Sequence, residues 1–108
     1  MATYKITIDS SGAGAVFNPP TLAVDAGDQI SWTNNDRKPH WPGLYNPDGS
    51  FVGLVDRELT TRPPFNVSST WSAPARADSS GNQVGYTLTY VDRYNRQMQG
   101  TFQISPTP

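Results

Sequence analysis

Apolar side chains alternate along this chain in short bursts, and proline, glycine or an Asn/Asp cluster ends each burst. No stretch repeats them at the 3.6-residue spacing of an amphipathic helix. Residues 4–8 set Tyr4, Ile6 and Ile8 against Lys5 and Thr7, the pattern of a half-buried strand. Residues 29–33 do the same, with Ile30 and Trp32 on one face, before Asn34, Asn35 and Asp36 close the strand. Residues 85–90 place Tyr86, Leu88 and Tyr90 against Thr87 and Thr89, and residues 100–104 turn Phe102 and Ile104 inward. Turns are predicted over 9–14, 25–28 and 77–82. Phe17-Asn18-Pro19-Pro20 is an extended entry into a strand over 21–24, and 67–71 is a further strand.

Residues 39–64 are different. They hold five prolines and three glycines, and only 51–55 reads as a short strand. A loop this long inside a compact domain tends to be functional. Many short strands between frequent turns predict an all-β chain, an antiparallel sandwich or barrel. The 108 residues suit one domain with one modest core. The domain is placed at residues 1–104, with 105–108 as a tail or the start of a linker.

The composition removes several classes of function. A net charge of −1 with both signs scattered gives no basic face for nucleic acid. No run of about 18 apolar residues is present to span a membrane, and residues 1–20 carry no signal-peptide pattern. Cysteine is absent, so disulfides, thiol catalysis and thiolate-bound metals are excluded. There is no glycine-rich phosphate loop and no nucleophile elbow, and His40 is the sole histidine. Asp56 and Glu58 lie two apart, on one face if strand-borne, but nothing else supports acid–base work on a sugar. The chain is expected to be non-catalytic.

Two motifs then carry a resemblance. The first is Phe17-x-Pro19-x-x-Leu22-x-Val24-x-x-Gly27-Asp28-x-Ile30-x-Trp32-x-Asn34, followed by Pro39-His40. The second is the stretch from Tyr86 to Gly100 that ends in Met98-Gln99-Gly100. In this order they resemble the two halves of a plastocyanin-like cupredoxin. The resemblance implies a Greek-key β-sandwich of two sheets. It also implies a type 1 copper site, a trigonal His₂Cys centre with a long axial methionine. His40 matches the first histidine of that site and Met98 the axial methionine. Counting back from Met98 with plastocyanin-like spacing puts the cysteine position on Tyr90 and the second histidine position on Arg93.

The chemistry of those positions opposes copper. One imidazole and one thioether are too few donors. A guanidinium a few ångström from the metal would cost on the order of several kcal/mol at an effective dielectric near 20. The sequence therefore predicts a cupredoxin scaffold without blue copper and with no cofactor. His40 would be a partly exposed, hydrogen-bonded imidazole, Met98 a packing residue, and Tyr90 a ring buried in the vacated site. The alternative is metal binding for copper storage or delivery, with His40 and Met98 or Asp92 as donors.

The expected working surface is the loop end, with His40, Trp41, Tyr45, Arg93 and Tyr94 as its binding residues. Arginine and tyrosine are enriched where interfaces carry their energy. The chain is accordingly expected to be a monomeric binding or scaffolding module for an unidentified protein partner. The resemblance implies a periplasmic, cell-surface or extracellular location.

Overall fold

The computed structural model describes residues 1–12 and 14–108. The strands are Thr3–Ser11 (β1), Gly14–Asn18 (β2), Thr21–Asp25 (β3), Gln29–Asn34 (β4), Pro42–Tyr45 (β5) and Phe51–Gly53 (β6). They continue as Trp71–Ser72 (β7), Arg76–Ala77 (β8), Gln83–Val84 (β9), Tyr86–Asp92 (β10) and Asn95–Ser105 (β11). One sheet has the order β2-β1-β4-β7 and the other β3-β11-β10-β5-β6, with β8-β9 a separate hairpin. No helix among the described residues is long and apolar enough to cross a membrane.

Most pairings are antiparallel, but β1 with β4 and β3 with β11 are parallel. That departs from a purely antiparallel reading. Its origin is the Pro19–Pro20 step. The chain leaves the first sheet after β2 and enters the second with β3, so β3 pairs with the distant β11 and not with its chain neighbour.

Several boundaries also differ from the sequence reading. The turn predicted over 9–14 is shorter, because Asp9, Ser10 and Ser11 stay in β1 and pair with Val16, Ala15 and Gly14; Ala13 lies outside the described residues. The strand predicted over 67–71 reduces to a bridge between Val67 and Thr33 and the two residues of β7. Ser105, read as the first tail residue, is the last of β11 and pairs with Asp25. Beyond it, Thr107 donates through its N–H to Gln83 Oε1 at 2.8 Å.

The two sheets close over an aromatic centre. Trp32 from β4 and Phe17 from β2 meet Tyr90 from β10 and Phe102 from β11. Trp32 is edge-on to Tyr90 at 5.5 Å, and Tyr90 stacks on Phe102 at 5.1 Å. Each geometry suits the ring quadrupoles. The Trp32 indole N–H donates to the Tyr90 hydroxyl at 3.2 Å, which satisfies a polar group that burial would otherwise penalise. Burial pushes the Tyr90 phenol well above its ordinary range. The ring lies directly against Gly100, its partner in the β10–β11 register; a Cβ there would collide with it.

Two substitutions probe this centre. Gly100→Ala should overpack the Tyr90 ring and cost about 1–3 kcal/mol. Tyr90→Phe should cost about 1–3 kcal/mol by stranding the Trp32 indole N–H. Chemical denaturation measures both. A Gly100→Ala protein as stable as its parent would contradict the placement of the ring.

Candidate functional site

The site is built at the end of β4. Asn34 is buried, and its side-chain amide donates to the carbonyls of Lys38 at 2.8 Å and Leu59 at 3.2 Å. Its Oδ1 accepts the Asp36 N–H at 2.9 Å. One side chain thus folds residues 35–39 back on themselves and ties them to the 39–64 excursion. His40 follows and exchanges both backbone hydrogen bonds with Leu59, at 3.1 and 2.7 Å. Its ring position is set by backbone.

The His40 imidazole is held from both sides. Nδ1 lies 3.0 Å from Asp92 Oδ2, and Nε2 lies 2.7 Å from Asp36 Oδ2. Asp92 Oδ1 also accepts the Trp41 N–H at 2.8 Å, and the Ser10 hydroxyl donates to Asp36. His40 is only 6% exposed and Asp92 only 1%, so the expectation of a partly exposed imidazole is corrected. Two flanking carboxylates require two N–H donors, which is the protonated form. Burial alone would push the imidazole pKa down. The hydrogen bonds and charges of Asp92 and Asp36 outweigh it and hold the pKa above the ordinary value. The Ser10 hydroxyl, then His40, hold the Asp36 carboxyl down at about 2.

The clamp borders a cleft of about 580 Å³ that Lys38, Tyr94, Asn95 and Met98 also line. Neither Tyr90 nor Arg93 reaches it, which corrects both positions counted back from Met98. The reason is strand geometry. Tyr90 and Asp92 share one face of β10, and Asp92 sits one side-chain repeat closer to the loop end. Tyr90 therefore enters the core while Asp92 meets His40. Beyond Asp92 the chain reverses in a two-residue turn, Arg93 and Tyr94, because Asp92 already pairs with Asn95. The irregularity falls in β11 instead. Val91 pairs with Gln99, which leaves Arg96, Gln97 and Met98 without partners on β10. Of these three Met98 is buried, at 5% exposure.

The five expected binding residues do not form one surface. His40 turns inward. Trp41, Tyr45 and Arg93 gather with Phe51 and Arg96. The Trp41 and Phe51 rings are 5.5 Å apart, Tyr45 and Phe51 5.2 Å, and the Arg93 guanidinium lies 5.1 Å from the Trp41 ring. The Tyr45 hydroxyl donates to the Arg93 carbonyl. The opposed pair Gly43 and Gly53 makes this possible: Phe51 covers the first and Trp41 the second, so a Cβ at either would collide with a ring. Tyr94 is exposed, and its hydroxyl donates to Glu58 at 2.5 Å. That carboxylate raises the Tyr94 phenol to about 12. Asp56 instead accepts from the Ser69 hydroxyl at 3.2 Å, so Asp56 and Glu58 do not converge.

Sequence reasoning missed Asp36 and Phe51 as site residues. Asp36 stands four residues before His40 in the same loop, a spacing that could have suggested the contact. Phe51 had no comparable local signal, since its role depends on the β5–β6 register.

The clamp makes stability depend on pH. The folded-state pKa of His40 stands above the unfolded value of about 6.5. Its contribution is therefore complete below about pH 6.5 and is lost as pH rises through the folded pKa. Asp36 has the opposite sign: its contribution is present above the unfolded carboxyl pKa and is lost as pH falls towards about 2. The protein should melt at a higher temperature near pH 5.5 than near pH 8.5, and His40→Gln should abolish that difference. At pH 5.5 His40→Ala should cost about 3 kcal/mol, by leaving buried Asp92 unpaired. Calorimetry at both pH values checks this; an equal pH dependence in parent and variant contradicts it.

With this geometry in view, comparison with known proteins is informative. No family model matches the chain. A plastocyanin of Synechococcus sp. (strain JA-2-3B'a(2-13)) is 40% identical over 38 residues. That match takes in 35% of this chain and spans only 28% of the plastocyanin. Among solved structures, amicyanin from Paracoccus versutus superposes with a TM-score of 0.65 at 14% identity, covering 95% of this chain and 81% of that one. A purple cupredoxin from Nitrosopumilus maritimus gives a TM-score of 0.60 at 20% identity, covering 94% and 98%. The two sheets, their crossing at Pro19–Pro20, and a β4 end that delivers a histidine beside the β10–β11 turn together establish that this chain has a plastocyanin-like cupredoxin fold.

Proposed function

We propose that this chain is a copper-free cupredoxin-fold module, non-catalytic and monomeric, that binds a partner protein at its loop end and works outside the cytoplasm. The observation that carries the reading is the engagement of His40. Both ring nitrogens face carboxylates at 3.0 Å or less, so each nitrogen that could ligate a metal is already engaged. A type 1 centre needs a thiolate and two imidazoles; this chain has no cysteine and one histidine. Among the described residues no group of three or more His, Cys, Asp or Glu side chains is disposed to hold a metal ion. The residues present do not fit the copper of the fold's namesakes. Asp92 faces His40 directly, and that contact takes up a ring nitrogen a metal would need.

The second reading is weak metal binding for storage or delivery by His40 with Met98 or Asp92. In its favour, all three line one cleft.

Titration with one equivalent of Cu(II) separates the two. The expected result is no intense visible charge-transfer band, and heats of mixing that are equal for the parent and His40→Ala. An intense band overturns the first reading. A heat that His40→Ala abolishes supports the second.

A further inference from the structure

We propose that the outer face of β5, β6 and the β10–β11 turn docks an acidic, partly apolar peptide segment of a partner protein, read by Arg93 and Arg96. This rests on the reading of the chain as a binding module, and it places the working surface on the face of the sheet turned away from the cleft. The Arg93 guanidinium lies 5.1 Å from the Trp41 ring and 5.4 Å from the Phe51 ring, and Arg96 lies 3.7 Å from the Tyr45 ring. Both arginines are exposed. Among the described residues neither forms an ion pair with a carboxylate. The carboxylate adjoining Arg93 and the one that meets the turn through Tyr94 are engaged elsewhere. Asp92 is held by His40 and the Trp41 N–H, and Glu58 by the Tyr94 hydroxyl.

A guanidinium stacked on a ring still has its N–H edge free, and that edge matches a carboxylate bidentately. Stacking also fixes the side chain before binding, which removes part of the entropic cost of association. Two arginines three residues apart therefore present two preoriented forks on an aromatic floor. Beside them lies a groove of about 320 Å³ whose walls are uncharged apart from Arg96: Leu44, Tyr45, Thr89, Val91 and Gln99. Two cationic forks next to a groove of this character complement acidic residues interspersed with apolar ones. A uniformly charged polymer would need a longer cationic row.

Fluorescence titration with a short peptide alternating Glu and Leu tests this on the full chain. The expected result is saturable binding that weakens at least about tenfold in Arg93→Ala/Arg96→Ala and with rising salt. The same peptide with Gln for Glu should not bind. Arg93→Lys/Arg96→Lys keeps the charge and loses the planar fork; it should bind more weakly than the parent, and it provides a readout should the alanine pair impair folding. Equal binding of the Glu and Gln peptides, no binding of the Glu peptide, or tighter binding of an oligogalacturonate would overturn the proposal. Each of these is independent of the Cu(II) spectrum, so the docking face can fail while the copper-free reading stands, and the reverse.

Discussion

The Asp36–His40–Asp92 arrangement joins the loop after β4 to the end of β10 and, through its neighbours, to β1 and the long excursion. Asp36 belongs to the loop after β4 and is anchored to β1 through Ser10. Asp92 ends β10, and His40 is zipped to Leu59 in the long excursion. The buried imidazole, with one ring nitrogen facing each carboxylate, ties them together. A buried charge is costly unless it is paired and hydrogen-bonded, and here every polar atom of the trio that could be stranded has a partner.

Much of the sandwich was legible in the residues. Alternation at Tyr4–Ile8, Ile30–Trp32, Tyr86–Tyr90 and Phe102–Ile104 named the strands because each has one wet and one dry face, and the structure buries Ile6, Ile8, Ile30, Trp32, Tyr90, Phe102 and Ile104 as that pattern requires. The parallel pairs were not legible, since which sheet a strand joins depends on where Pro19 and Pro20 send the chain. Nor was the 39–64 excursion. Its order comes from single hydrogen bonds such as Asn34 to Leu59 and Trp41 to Val55, and these leave no periodicity to read.

The site was half legible for a related reason. His40 and Met98 do border the same cleft, as the resemblance implies. Counting residues back from Met98 assumes an even loop, yet the unpaired stretch of β11 absorbs three residues and shortens the turn to two. The count therefore lands Tyr90 in the core and Arg93 on the outer surface. Strand parity is the safer guide. Asp92 has the parity of Tyr90 and faces inward, whereas Trp41, Gly43 and Tyr45 share the opposite face with Phe51 and Gly53. One sheet thus separates a polar, protonated interior corner from an arginine-capped aromatic exterior.

The opposed glycines of β5 and β6 have a mechanical consequence. The rings that cover them, Phe51 and Trp41, form a small apolar cluster at the margin of the core, beside an edge strand only three residues long. Opening it would expose Trp41 and Phe51 but leave Trp32, Tyr90 and Phe102 packed. Amide exchange in this molecule should accordingly show two tiers of protection: a fast margin along the β5–β6 hairpin and a slow set of strands around the central tryptophan.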